Sequence, residues 1–282
     1  MGLARGGRGP SAVARAYLAK VHPVFMLPPV AAAAFGAILA GALDPPAAAV
    51  HVGAIFLAVY TAHLRDGYVD FYRRGEDDDT PLSAAGYRLG IAAAAALQVA
   101  CLLGLYVLVD AWAVALTLPG WLIGYLHAPY LDRHAVTTTA GYPTGIALAV
   151  LGGHYVQLRT LSAETVALAV VLLVLLSGVK VVDDLQDLAW DRANRKRTVG
   201  VVLGVARAHR LAVGLMVVAL AGTLVLAAGG VVHRANALAV GAFAPVLWLA
   251  HRRGPRVQTM LLIRGSYLFL AALVAVAWFA PT

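Results

Sequence analysis

The sequence predicts an all-α polytopic membrane protein: a bundle of about nine transmembrane helices, arranged as two parallel four-helix half-repeats plus one helix. Three observations predict it. Of 282 residues, 61% are hydrophobic and only 13% charged, with a mean hydropathy of +0.79, a composition that suits a bilayer and excludes an ordinary soluble domain. Nine stretches approach the roughly 20 apolar residues that a helix rising ~1.5 Å per residue needs to cross ~30 Å of hydrocarbon. Lys and Arg, finally, crowd into every second connecting segment.

In chain order the expected spans are Val24–Leu43, Ala47–Leu64, Leu89–Val109, Trp112–Leu126, Gly141–Leu158, Thr165–Val182, Leu211–Val232, Ala235–Ala250 and Met260–Ala280. The fourth and eighth are short, and Pro119 in the fourth suits a kinked or tilted helix whose freed backbone groups are satisfied by neighbours. Residues 1–20 form a short basic tail with Arg5, Arg8, Arg15 and Lys20, and no apolar run precedes a small-residue cleavage site, so no signal peptide is expected. The single Cys101 excludes an intrachain disulfide and reads as a small apolar group within the third span.

An N-terminus in the cytoplasm puts twenty of the twenty-two Lys and Arg on the inner side and leaves only Arg159 and Arg234 outside. One missed span would invert every later loop, so span count and charge bias support each other. The net charge of +8 is therefore an orientation signal, aided by attraction to anionic inner-leaflet lipid, and gives no reason to expect a nucleic-acid partner.

Ten of the fourteen carboxylates lie in two short inner segments, Asp66, Asp70, Glu76, Asp77, Asp78 and Asp79 in one and Asp183, Asp184, Asp187 and Asp191 in the other. Like charges so packed repel one another, and topology does not call for them; a bound cation does. Asp184, Asp187 and Asp191, at i, i+3 and i+7, share one face of a continued helix with Lys180 one turn earlier, and Asp66 and Asp70 repeat the spacing. Oxygen-rich carboxylate sites suit Mg²⁺, a hard ion commonly held by one or two carboxylates and completed by phosphate oxygens. Cations stand beside both sets, Arg65, Arg73 and Arg74 in the first and Arg192, Arg195, Lys196 and Arg197 in the second, and Arg pairs with phosphate directly. Both segments follow the second span of a four-span unit, with 117 residues between Asp70 and Asp187, so two parallel half-repeats would converge over one site.

These motifs resemble those of the UbiA superfamily of membrane prenyltransferases, over nearly the whole chain. The family's D-x-x-D-x-x-x-D is matched by Asp184, Asp187 and Asp191, followed by Lys196-Arg197-Thr198, similar to its basic-Thr sequence. Its N-x-x-x-D-x-x-x-D is matched only at Asp70; Asp66 stands at the Asn position and Arg74 at the last Asp. That departure leaves open which first-loop carboxylates bind metal, with Asp66 and Asp70 ranked first. Tyr130 and Arg133, after span four, loosely resemble a Tyr and basic pair of the family.

The resemblance implies that Asp66, Asp70, Asp184, Asp187 and Asp191 bind Mg²⁺ and carry catalysis, that Arg65, Tyr130, Arg133, Lys196 and Arg197 bind diphosphate, and that the partners are a prenyl diphosphate and a lipophilic acceptor. His51 and His154 read as interfacial, and His127 and His134 as secondary candidates for substrate contact. The alternatives are a membrane cation transporter, which wants carboxylates near mid-membrane where the spans carry none, and a non-catalytic relative. A CDP-alcohol phosphotransferase requires one continuous acidic motif, which the sequence lacks.

Overall fold

The structure, a computed structural model, describes residues 2–194 and 196–280. Its helices are α1 (Pro10–Leu18), α2 (Pro23–Leu39), α3 (Pro45–Val69), α4 (Ala84–Leu108), α5 (Ala111–Tyr130), α6 (Ala135–Leu158), α7 (Ala163–Asp184), α8 (Leu188–Ala193), α9 (Val199–Leu203), α10 (Val205–Ala228), α11 (Ala237–His251) and α12 (Pro255–Phe279). Each expected span overlaps one helix. Side-chain caps start several of them: Asp44 accepts from the Ala47 N–H at 3.2 Å, Asp110 from Trp112 at 2.8 Å and Ser162 from Thr165 at 3.1 Å.

Among the described residues, six helices are long and apolar enough to cross a membrane, α3, α4, α5, α7, α10 and α12; α1 and α2 taken together, bent by 70°, make a seventh. The expected count of nine is not reached by this measure. Helix α11 runs only 15 residues, and α6 carries Thr137, Thr138, Thr139, Tyr142, His154 and Gln157 within its length.

The bundle is apolar outside, and inside it combines small residues with large apolar side chains such as Phe35, Phe243 and Phe269. Val107 is 80% and Phe279 83% exposed, while Ala32, Ala33 and Ala149 have no accessible surface. Lipid tails are as apolar as Leu, so helices associate in a membrane through close packing and polar contacts. Between α2 and α6 that packing is backbone against backbone. A Cβ on Gly36 would stand 2.0 Å from the Val150 carbonyl oxygen, and one on Gly153 2.1 Å from the Ala33 oxygen. His51, expected at an interface, is instead wholly buried. Its Nδ1 lies 3.1 Å from Thr117 Oγ1 and its Nε2 3.1 Å from the Ala149 carbonyl, which ties α3 to α5 and α6. His154 is also buried, beside the Thr160 carbonyl at 3.0 Å.

In the packing, α3 lies on α4 and α5, α7 lies on α10, α2 packs along α6, and α12 closes against α2 and α7. The N-terminal segment is lashed to the first acidic loop. The Arg5 N–H donates to the Pro81 carbonyl and the Ser83 N–H to the Leu3 carbonyl, both at 2.9 Å, and the Tyr17 hydroxyl donates to the Gly86 carbonyl at 2.8 Å.

Candidate active site

Helix α7 brings the second acidic motif to the bundle's end. Lys180 Nζ donates to Asp183 Oδ2 at 2.8 Å and to Asp184 Oδ1 at 2.6 Å. The helix stops at Asp184, and the next three N–H groups bond only three residues back, Leu185 to Val182, Gln186 to Asp183 and Asp187 to Asp184. This tight turn corrects the expectation of one continuous acidic face. Asp184 and Asp191 are buried, whereas Asp187 is exposed at the head of α8. The Thr198 hydroxyl donates to Asp191 Oδ2 at 3.1 Å, and the Lys196 N–H to the Asp191 carbonyl at 2.9 Å. Burial pushes the Asp191 carboxyl above its ordinary pKa, opposed by the Thr198 hydroxyl and the Lys196 charge.

Helix α3 carries the first motif. Its last turns hold Asp66, and the chain then widens into a π-helical turn over Asp70–Arg74, a local departure often found at functional sites. Gly75, at φ 64°, reverses the chain so that the Glu76 N–H reaches the Asp70 carbonyl at 2.8 Å. Arg74 Nη1 then contacts three carboxylates: Asp70 Oδ1 at 3.5 Å, Glu76 Oε1 at 3.4 Å and Asp132 Oδ2 at 2.5 Å. Lys196 Nζ, from the second loop, lies 3.7 Å from Glu76 Oε2 and 3.8 Å from Asp132 Oδ2. The two acidic loops therefore meet at one end of the bundle. Burial raises the Glu76 pKa against the pull of Lys196 and Arg74. Asp77, Asp78 and Asp79 are exposed.

Asp132 was not singled out from the sequence, yet it is 6% exposed at the centre of this network. A signal was present. Of the four carboxylates outside the two clusters, Asp44 and Asp110 cap helices and Glu164 sits in a first turn; Asp132 has no such task.

The expected diphosphate ligands divide. Lys196 joins the network. Arg65 turns to the end of α5, with Nε 3.2 Å from the Tyr125 carbonyl, Nη2 3.3 Å from the Ala128 carbonyl and its guanidinium 4.5 Å from the centre of the Tyr125 ring. Tyr130 is 57% exposed, Arg133 and Arg197 are exposed, and these two are linked only through the Arg197 N–H to the Arg133 carbonyl at 3.3 Å. Arg195 lies outside the described residues. Arg65→Ala is therefore expected to cost about 1–3 kcal/mol of stability, the worth of hydrogen bonds from a charged donor, while changing the Kd for a prenyl diphosphate by less than about threefold. Thermal unfolding and ligand binding on the same detergent-solubilised sample check both parts.

A cavity of about 250 Å³ runs from this ionic end into the bundle. His63, Asp66, His127, Lys180 and Asp183 line its polar end; Ile55, Ile146, Leu172, Leu176 and Leu270 line its apolar length. His134 is exposed. Among the described residues, no three acidic, His or Cys side chains are grouped closely enough to hold a metal ion unaided. Buried carboxylate oxygens without a partner are nevertheless present at Asp66 Oδ1, Asp132 Oδ1 and Asp184 Oδ2. Such a donor set fits Mg²⁺ held jointly with phosphate oxygens and water better than an all-protein cage.

No protein-family model and no curated protein sequence matches the chain. Solved structures do. A structure of digeranylgeranylglyceryl phosphate synthase in membranes aligns with a TM-score of 0.74 at 13% identity, covering 94% of this chain and 99% of that one. A UbiA homologue from Aeropyrum pernix aligns at 0.69 with 14% identity over 90% and 98% of the two chains. A UbiA homologue from Archaeoglobus fulgidus bound to GPP and Mg²⁺ aligns at 0.63 with 15% identity over 94% and 99%. At these identities the likeness speaks for architecture alone: this chain has the fold of these UbiA homologues.

Proposed function

We propose that the whole chain is one membrane-embedded prenyltransferase domain. It transfers a polyprenyl group from a prenyl diphosphate to a lipophilic acceptor, a quinone precursor, glycerol lipid, tetrapyrrole or carotenoid, with Mg²⁺ as cofactor. The N-terminus and both acidic loops face the cytoplasm, as the Lys and Arg bias favours. The observation that carries the reading is this cavity, ionic at one end and apolar along its length, which matches a substrate with a charged head and a hydrocarbon tail. The aligned Archaeoglobus structures, bound to GPP or DMAPP with Mg²⁺, support the same assignment.

Asp66 and Asp184, with their open oxygens, and Asp191 are the residues to hold the ion, with Asp70 reduced in that role by its contact with Arg74. Mg²⁺, when bound, supplies positive charge to a departing diphosphate. Lys180, Arg74 and Lys196 are fixed cations around the same end, so charge developing on the leaving group meets partners already in place. The allylic C–O bond breaks with its electron pair on the diphosphate, and the acceptor's nucleophile forms the new bond to carbon. His63 and His127, on the cavity wall, are placed to take the proton the acceptor releases. The Ile and Leu side chains of the lining offer no nucleophile to the carbocation and exclude water, and the hydroxyls of Tyr142, Ser266 and Tyr267, which also line the cavity, are engaged with backbone carbonyls.

The test is pyrophosphate release from labelled geranylgeranyl diphosphate by detergent-purified protein with a mixture of the four acceptor classes, with and without Mg²⁺. Mg²⁺-dependent release together with a prenylated product supports the assignment and names the acceptor. Absence of both turnover and Mg²⁺-dependent diphosphate binding overturns it in favour of transport or a non-catalytic relative.

A further inference from the structure

Resting on that reading, we infer that Arg74 is a built-in cation at the first acidic loop, taking the place of a metal ion, so that the site accepts one divalent ion on the side of the second loop and not one at each loop. The sequence departs from the resembled motif at this residue, and the structure shows what the replacement does. Its guanidinium lies among Asp70, Glu76 and Asp132, carboxylates that an ion at the first loop would need. Its side chain is only 14% exposed, and Arg cannot shed its proton to make way for another cation. An ion ligated by any of these three would leave a largely buried guanidinium without its partners and beside a double positive charge. Lys196, within 3.8 Å of Glu76 and Asp132, adds a second fixed charge to the same cluster.

The second loop is built differently. Lys180 engages only Oδ1 of Asp184, and Oδ2, on a residue 6% exposed, has no partner; Oδ1 of Asp66 is likewise open. Those oxygens are free for an ion, whereas in the Arg74 cluster one oxygen of each carboxylate already faces the guanidinium and, of the buried oxygens there, only Asp132 Oδ1 stays open. Arg74 itself keeps one open donor, Nη2, buried and without a partner. A phosphate oxygen completes a guanidinium fork of that kind. The same residue then neutralises the first loop and binds the leaving group.

Counting ions tests this without reference to turnover. Full-length protein in detergent is saturated with geranylgeranyl thiolodiphosphate, which ionises poorly, and bound Mn²⁺ is counted from the loss of the free-ion EPR signal. One Mn²⁺ per bound analogue is expected for the wild type and for Arg74→Lys, and two for Arg74→Asp. Two ions in the wild type overturn the inference with no variant needed, as does a folded Arg74→Asp protein that binds the analogue with one. If the wild type binds Mn²⁺ but never the analogue, the prenyltransferase reading itself fails, which separates the two outcomes.

Discussion

Asp184→Asn is expected to lower turnover by about 10²–10³-fold, equivalent to about 3–4 kcal/mol of transition-state stabilisation, while the protein stays folded. Both halves of the expectation follow from geometry. Oδ2 of Asp184 is buried and has no protein partner, so its removal breaks no internal contact, but it takes away the negative oxygen offered to an ion. Oδ1 bonds Lys180 at 2.6 Å. Loss of a charge partner from a buried pair ordinarily destabilises by several kcal/mol; here Lys180 keeps Asp183 at 2.8 Å, and the Asn carbonyl still accepts a hydrogen bond. Single-turnover rates on protein that elutes as a monodisperse peak, with a thermal transition close to that of the wild type, check the prediction. An unchanged rate would remove Asp184 from the ion site.

The second large effect lies at the contact of α2 with α6. Gly36→Ala is expected to destabilise by more than about 3 kcal/mol, enough to remove most folded protein from the membrane fraction. The added methyl would meet the Val150 carbonyl at 2.0 Å and the His154 nitrogen at 2.9 Å, both backbone atoms that no side-chain rotation can move. The reciprocal contact of Gly153 with Ala33 means that any separation of the helices is felt twice. Gly53→Ala, also within a helix but with nothing within 4 Å of its Cβ, is the matched control. It is expected to be neutral or stabilising by up to about 1 kcal/mol, because Ala loses less backbone entropy than Gly in a helix. Comparable loss in both variants would show that the close approach is not what holds the two helices together.

The helices were legible because hydropathy reports directly on the lipid environment: each predicted span falls on a helix, offset mainly at the ends, although α11 is short. Those ends mattered. Helices α3 and α7 run on to Val69 and Asp184, which places Asp66 and Asp184 within helical turns and not in loops. The second acidic motif was legible as residue types at a spacing but not as geometry, since neither Gly nor Pro marks the turn at Leu185–Asp187 that exposes Asp187. Asp132 escaped because its partner, Arg74, is 58 residues away in the chain, and pairings at that range leave no local pattern. Arg65 misled for the converse reason. It adjoins Asp66 in sequence, but successive helical residues point about 100° apart, and it faces α5.

The pairing of Leu3 and Arg5 with Pro81 and Ser83 has a practical bearing on handling the protein. Anything joined ahead of Leu3, an affinity tag included, emerges beside the loop that carries Glu76, and a bulky or charged fusion there competes with the contacts that position Arg74. A purification handle placed after α12 avoids that interference.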